Sequence, residues 1–346
     1  MIESAPLALG AVESTIEASQ STRPRAHLGA SLIGHKCSRH LWYVFRHAVT
    51  VKHSARLLRL FNVGHDFEPM MNKWLREAGI TVWEIDDRTG QQIRIDDVAG
   101  HFGGSLDGVL RGLQDDEQEL HVSEQKTHND KSFADVKKKG VRESKPQHYS
   151  QMQVYMHKIN IQWALYQAIN KNTSELYFER VPYDPVEAGR LLRIAEDVIC
   201  SDRPLEKIGG PSWFECKFCD HQGVCHGDDV PNVSCRTCVN ATPCLDGDAR
   251  WLCEKHDLDL SLEDQRVACD DHQYIPDLLA NWARFLHVVD GVMYYENLTN
   301  GKEFGNAKIG EAYTSEEIFA SKTREHIGAD EIDEVRREFE GRLTKG

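Results

Sequence analysis

The chain has 346 residues, 40% of them apolar and 28% charged, and a formal net charge of −14 at pH 7. That length holds one substantial core with a smaller module, or two modest domains, and excludes a single very small fold. No run approaches the roughly 18 consecutive apolar residues of a membrane span, and the acidic balance argues against wholesale coating of nucleic acid while leaving room for a local basic groove.

Residues 1–26 are rich in Ser, Ala, Glu and Pro with little periodicity and read as a flexible N-terminal arm. The arm carries Glu3 and Glu13 and no basic-then-apolar pattern, so it does not read as a secretory signal, and a cytoplasmic location is expected. Residues 28–46 suit a helix that turns Leu32, Cys37 and Trp42 inward. In the next segment Leu57, Leu58, Phe61, Phe67, Met71, Trp74 and Leu75 recur at near-helical intervals despite Pro69, and Gly79 follows as a C-cap. Strand-like pieces at 80–85, 91–95, 101–110 and 119–127 look like a meander. A helix over KPQHYSQMQVYMHKIN, the strands IQWALYQAIN and ELYFERVPY, and an amphipathic helix opened by Asp184 and Pro185 come next. This order predicts an α/β core with a mixed sheet over residues 27–230.

Beyond residue 205 the sequence becomes short-range and cysteine-rich. A module over 231–280 is expected in which metal replaces a core. Residues 281–346 return to ordinary patterning, with a hairpin turning at Asn300 and Gly301 and a final acidic helix.

The stretch LHVSEQKTHND carries the chemistry. Side chains alternate along a strand, so Glu124 and Lys126 emerge on one face with Leu120 and Val122. A carboxylate on the packed face needs a positive partner, because an unpaired buried charge costs several kcal/mol. Asp107, in GGSLDGVL, supplies a second carboxylate among small neighbours. Two acids and a lysine in this arrangement suit a magnesium or manganese ion beside a phosphodiester, with Lys126 positioning or deprotonating a water.

The order SLDG, then EQK with Glu124 17 residues after Asp107, then QMQVY, resembles the PD-(D/E)XK nuclease superfamily, in particular its RecB-like and lambda-exonuclease-like branch. The resemblance covers roughly residues 28–226 and implies a restriction-endonuclease-like mixed β-sheet flanked by helices. It implies Asp107 as the first acid, Glu124 and Lys126 as the ExK pair, and Gln151 with Tyr155 as the helical QxxxY motif. A further metal ligand from the upstream helix falls on Glu68 in GHDFE, with His65 as competitor.

Eight of the ten cysteines lie between Cys216 and Cys269, which favours metal over disulfides. CKFCDHQGVC holds Cys216, Cys219 and Cys225, one ligand short of a tetrahedral site or a cubane, and Cys37 is the candidate fourth. Here the chain resembles the CRISPR-associated RecB-like exonucleases and AddB-type helicase-nucleases, which carry one cysteine before the nuclease core and a cluster after it. That resemblance implies a 4Fe-4S cluster; four thiolates suit zinc as well. In the second group Cys235, Cys238, Cys253 and Cys269 are expected to hold structural zinc, with His256 and His272 as substitute ligands and Cys244 left without a partner.

Between the catalytic strand and the QxxxY helix lies a basic island of Lys131, Lys137, Lys138, Lys139, Arg142 and Lys145, the expected contact with the DNA backbone. The resemblance implies a phage-encoded, metal-dependent DNA exonuclease of recombination, repair or DNA processing, with a recombination or single-strand-binding protein as partner. The alternatives are a metal-stapled DNA- or protein-binding adaptor without turnover, and an endonuclease on the same core.

Overall fold

The computed structural model describes residues 6–20, 25–113, 116–321, 323–339 and 341–343. Within the segment expected as a flexible arm, residues Pro6–Ala18 form helix α1, which lies along α3 (Ala55–Glu77). Polar side chains fix this contact where composition suggested none. Glu17 accepts from the Ala55 backbone N–H at 2.8 Å, Gln20 from that of His53 at 3.0 Å, and Glu13 pairs with Arg59 at 3.2 Å. The rest of the expected arm at 1–5 and 21–24 lies outside the described residues.

The helix expected over 28–46 is split into strand β1 (Leu28–Gly29), a 3-10 turn and helix α2 (Ser38–Phe45). The break falls near Gly34, where a Cβ would lie 2.8 Å from the Gln147 backbone, closer than any side chain tolerates. Trp42 is buried as expected, while Cys37 stands at the N-cap of α2, partly exposed. α3 runs unbroken through Pro69, capped by Ser54, and Gly79 ends its turn with φ +86°. Met71 and Leu75 are buried and Trp74 is exposed, while Leu60, Phe61 and Phe67 line a cleft, so the N-terminal half of α3 borders that cleft instead of the core.

The strands that follow are β2 (Thr81–Trp83), β3 (Ile85–Asp86), β4 (Gln91–Gln92), β5 (Arg94–Asp97), β6 (Phe102–Ser105), β7 (Gly108–Leu113) and β8 (Asp116–His128). Helices α4 (Asp130–Ser144) and α5 (Pro146–Ile159) lead to β9 (Trp163–Asn170) and β10 (Leu176–Pro182), and α6 (Pro185–Cys200) closes the core. The central sheet has the order β10-β9-β8-β7-β2. All its pairings are antiparallel except β8 with β9, which the α4–α5 crossover makes parallel. The expected single meander is divided, because β5 and β6 pair with β1 in a separate three-stranded sheet.

Helix α3 packs near β8, and α5 packs on β8, β9 and α6 over a core that includes Val122, Met152, Tyr166, Ala168 and Leu191. This is the mixed sheet flanked by helices that the order of elements predicts. The basic island lies on α4 and its C-cap, and Asn129 caps the start of that helix by accepting from the Ser132 N–H at 2.9 Å.

The cysteine-rich part opens with the short helices α7 (Phe214–Lys217) and α8 (Gln222–His226). It continues as the sheet β11 (Ala241–Pro243), β12 (Trp251–Cys253) and β13 (Leu258–Asp259). Strands β14 (Ala283–Val289), β15 (Val292–Asn297) and β16 (Glu303–Asn306) form the last sheet, with the expected hairpin joining β15 to β16. Helices α9 (Ser315–Ala320) and α10 (Asp330–Phe339) complete the described chain, the latter at the place of the expected acidic helix.

Arg236 stitches this part to the core. It is fully buried, donates to the backbone carbonyls of Phe45 at 2.8 Å and Ala26 at 2.5 Å, and is held by Gln265 at 2.7 Å. Its guanidinium stacks 4.5 Å from the centre of the Trp251 ring, and burial, with Arg46 and Arg266 nearby, pushes its pKa down to about 9.

Candidate active site

β8 is long because it lies in the middle of the sheet, paired on both edges with β7 and β9. On its inner face Glu124 is fully buried and stands in register with Tyr166 of β9. Lys126 follows two residues later. Its Nζ lies 2.6 Å from Glu124 Oε1 and 3.9 Å from Asp107 Oδ2. Asp107 occupies the corner between β6 and β7, and its Oδ2 accepts the Gln125 backbone N–H at 2.8 Å. That bond ties the corner to β8 and holds the acid beside the pair.

The electrostatics follow from burial. Loss of water pushes the Glu124 carboxyl up to about 7, against the pull of Lys126 and with the repulsion of Asp107. Burial also works against the Lys126 charge, but Glu124 and then Asp107 outweigh it and hold the ammonium above its ordinary pKa. Glu124 Oε2 has no hydrogen-bond partner among the described residues. An orphaned, buried carboxylate oxygen beside a second acid is a donor set that fits a hard cation.

Glu68 reaches the site from α3, more than a third exposed, with His65 Nδ1 3.7 Å from its Oε1. Its carboxyl is pushed up, first by burial and then by Asp107, against His65 and Lys126. The structure therefore brings Glu68, His65, Asp107, Glu124 and Lys126 into one neighbourhood. The acids do not form one tight cage, because the Lys126 ammonium stands between Glu124 and Asp107. The described trios of His, Cys or acid side chains with ligand atoms all within 4.8 Å of one another lie elsewhere, at His40, Cys219 and His221 and at His256, Cys269 and Asp271.

Gln151 and Tyr155 are buried on α5. Gln151 donates to the Tyr155 hydroxyl at 3.2 Å, and Tyr155 donates to the Ser105 carbonyl at 2.8 Å, two residues before Asp107. The pair thus anchors the corner that carries the first acid.

Above these residues lies a cleft of about 770 Å³, lined by His65, Glu68, Lys126, Lys145 and the apolar Phe61 and Phe67 of α3. Of the basic island, Lys145 reaches it. Lys137 pairs with Glu175, Lys139 with Asp135 at 2.9 Å, and Arg142 lies 3.5 Å from Asp184 and over the Tyr149 ring. Lys131 and Lys138 are exposed.

The sequence reading missed a group beside the site. His128 shares the face of Glu124 and Lys126 by the same period of two, which was the available signal. Its Nε2 lies 2.8 Å from the Tyr166 hydroxyl and its Nδ1 3.0 Å from Ser132 Oγ, while His148 Nδ1 approaches the same hydroxyl at 3.0 Å.

Both cysteine groups assemble. Cys37, Cys216, Cys219 and Cys225 line one small cavity with His35, His40 and His226. His40 Nδ1 lies 3.4 Å from Cys219 Sγ and stacks on His35 at 4.1 Å, neighbours that the cysteine spacing did not reveal. Burial raises the Cys216 and Cys219 thiols, and the nearby cysteines add to the effect. Cys235, Cys238, Cys253 and Cys269 share a second cavity with His256 and His272. Burial, then Cys238, Cys269 and Cys253, push the Cys235 thiol up to about 12, the behaviour of crowded thiols whose charge a cation would relieve. His256 Nε2 stands 3.7 Å from Cys269 Sγ and 3.3 Å from Asp271. His272 engages the Thr237 hydroxyl through Nε2 at 3.1 Å, while its buried Nδ1 has no hydrogen-bond partner among the described residues. Cys244 lies outside both cavities.

No family model and no curated protein matches the chain. Among solved structures, the alkaline exonuclease LHK-Exo from Laribacter hongkongensis aligns with a TM-score of 0.38 and 17% identity over 54% of this chain and 90% of that one. LHK-Exo in complex with dAMP aligns at 0.38 and 18% identity over 51% and 88%. SSO0001 aligns at 0.38 and 15% identity over 63% and 96%. No described helix is long and apolar enough to cross a membrane.

Proposed function

We propose that this chain is a metal-dependent DNA nuclease that hydrolyses phosphodiester bonds, and that it acts as an exonuclease in recombination, repair or phage DNA processing. The observation that carries the reading is the Lys126 ammonium 2.6 Å from Glu124 and 3.9 Å from Asp107 at the floor of an open cleft. Asp107, Glu124 and Glu68 would hold magnesium or manganese, with His65 beside Glu68; the ion would polarise the phosphate and lower the pKa of an attacking water. The chain's own contribution is positional. Lys126 carries a fixed positive charge at the reacting phosphate and orients the nucleophile, while Gln125, Gln151 and Tyr155 hold Asp107 in place.

The two cysteine groups read as staples. Cys37, Cys216, Cys219 and Cys225 would hold an iron-sulfur cluster and tie the start of the core to its end. Cys235, Cys238, Cys253 and Cys269 would hold zinc, with His256 next to Cys269.

The test is degradation of linear and closed circular DNA by purified protein with magnesium or manganese. Loss of linear DNA with circles intact supports an exonuclease. Cutting of circles replaces it with an endonuclease, and binding without release of nucleotides in either metal overturns the enzyme reading.

A further inference from the structure

Four side chains outside the acid–lysine group are linked in a row: Ser132 Oγ, His128, the Tyr166 hydroxyl and His148, at spacings of 3.0, 2.8 and 3.0 Å. Tyr166 and His128 are buried, and His148 lines the cleft together with Lys126 and Lys145. Both nitrogens of His128 are used. His148 uses only Nδ1, and its Nε2 carries no hydrogen bond among the described residues.

The row has a polarity. A neutral imidazole has one N–H, and a tyrosine hydroxyl between two ring nitrogens donates to one and accepts from the other. If Ser132 donates to His128 Nδ1, then His128 Nε2–H donates to Tyr166 and Tyr166 donates to His148 Nδ1. The proton of His148 is then fixed on Nε2, as a donor toward the cleft. The opposite polarity would leave Nε2 an acceptor. An anionic oxygen in the cleft selects the first. The rings are neutral: burial, then Lys126, His128 and Lys145, push His148 down to about 3, and burial with Lys145 and Lys126 pushes His128 down to about 4. With its proton on Nε2 the ring offers that nitrogen as a donor to an anionic oxygen and no lone pair there to the cation the acids would hold.

We propose that His148 is a phosphate-binding residue, donating Nε2–H to a backbone phosphate of the DNA strand in the cleft, and that Ser132, His128 and Tyr166 are positioning residues that fix its tautomer. The inference rests on the nuclease reading for the identity of the ligand and deepens it by naming the residue that grips the strand beside the scissile bond.

The test measures binding of a short labelled DNA in EDTA, where cleavage does not interfere. His148→Ala is expected to weaken binding about tenfold, the effect of losing a hydrogen bond to a charged group. His148→Gln, which keeps an amide donor at similar reach, is expected to stay within about threefold of the wild type. Tyr166→Phe, which releases the tautomer, is expected to fall between them. Replacing single phosphates by uncharged methylphosphonates should reveal one position whose penalty is present in the wild type and absent in His148→Ala. Wild-type affinity in His148→Ala, failure of wild type to bind DNA, or a methylphosphonate profile unchanged by the substitution would each overturn the proposal. Absence of magnesium-dependent cleavage in a protein that shows the phosphate-specific penalty would overturn the nuclease reading and leave the subsite standing.

Discussion

Lys126 and Glu124, two residues apart on one face of β8, form an ion pair at 2.6 Å in which the carboxylate is fully buried and the ammonium is partly exposed to the cleft, and no other base lies as near to Glu124 among the described residues. Lys126→Ala is therefore expected to lower magnesium-dependent DNA degradation by at least about 100-fold and also to destabilise the fold. Breaking a buried pair from one side costs on the order of 3–5 kcal/mol. Glu124, already raised to about 7, relieves part of that cost by taking up a proton. The loss should therefore be larger above pH 7 than below it, as read from denaturant melts. Asp107→Ala is expected to lose activity equally with a smaller change in stability, since it leaves the 2.6 Å Lys126–Glu124 pair intact.

Acid sensitivity should come from buried neutral histidines away from the metal sites. Burial, followed by the charge of Arg236, pushes His47 from an ordinary 6.5 down to about 3. Between these values the unfolded chain binds the proton and the folded chain does not. The contribution is thus fully present above pH 6.5 and lost as pH falls toward 3. His47→Asn suits the site's φ of +53° and is expected to flatten this acid slope by up to about 1.4 kcal/mol per pH unit, measured by melts across that window.

For the first cysteine group, anaerobically purified protein is expected to contain iron and sulfide and to show visible charge-transfer absorption. Cys37→Ala should remove both, although it lies 179 residues before Cys216. Zinc with a colourless spectrum would reassign the site without disturbing its four residues.

In the second group, Cys253→Ser is expected to lose the zinc, whereas His256→Ala should retain it. His272→Ala tests the remaining candidate, whose Nδ1 is buried without a hydrogen-bond partner in the same cavity: it is expected to lower zinc content only if that nitrogen is a ligand. Metal analysis beside thermal melts separates ligands from supports.

Lys145 and Lys137 provide an internal comparison within the basic island. Lys145 lines the cleft, whereas Lys137 pairs with Glu175. Lys145→Ala is expected to weaken DNA binding and reduce its salt slope by about 1, and Lys137→Ala to change neither.

The elements legible in the sequence were those with a strict local period. The face shared by Glu124 and Lys126 follows from strand alternation, and Gln151 with Tyr155 from helical spacing, so both landed where expected. His128 obeys the same alternation but falls at the strand's last residue, where a boundary estimate cut it off. Cysteine spacing marked both groups, but only tertiary structure brings His40 beside Cys219 or turns His272 toward Thr237. Counting the charges of the basic island overstated it, because Asp135 meets Lys139 one turn away on the same face of α4, and Glu175 and Asp184 come from beyond the helix to meet Lys137 and Arg142. Helix α1 escaped detection for a related reason: its anchors are single polar bonds to residues 53–59, with no apolar stripe to betray them.

Arg236 has its guanidinium enclosed by the rings of Phe45 and Trp251 and by main-chain oxygens of Ala26 and Phe45, with no carboxylate paired to it among the described residues. A truncation that ends at residue 230 would strip Phe45 and Ala26 of that donor and bare the rings it covers, so the core over residues 27–230 is expected to fold poorly without the segment that follows it. Heat should then melt the core and the cysteine-rich part together, in a single calorimetric transition.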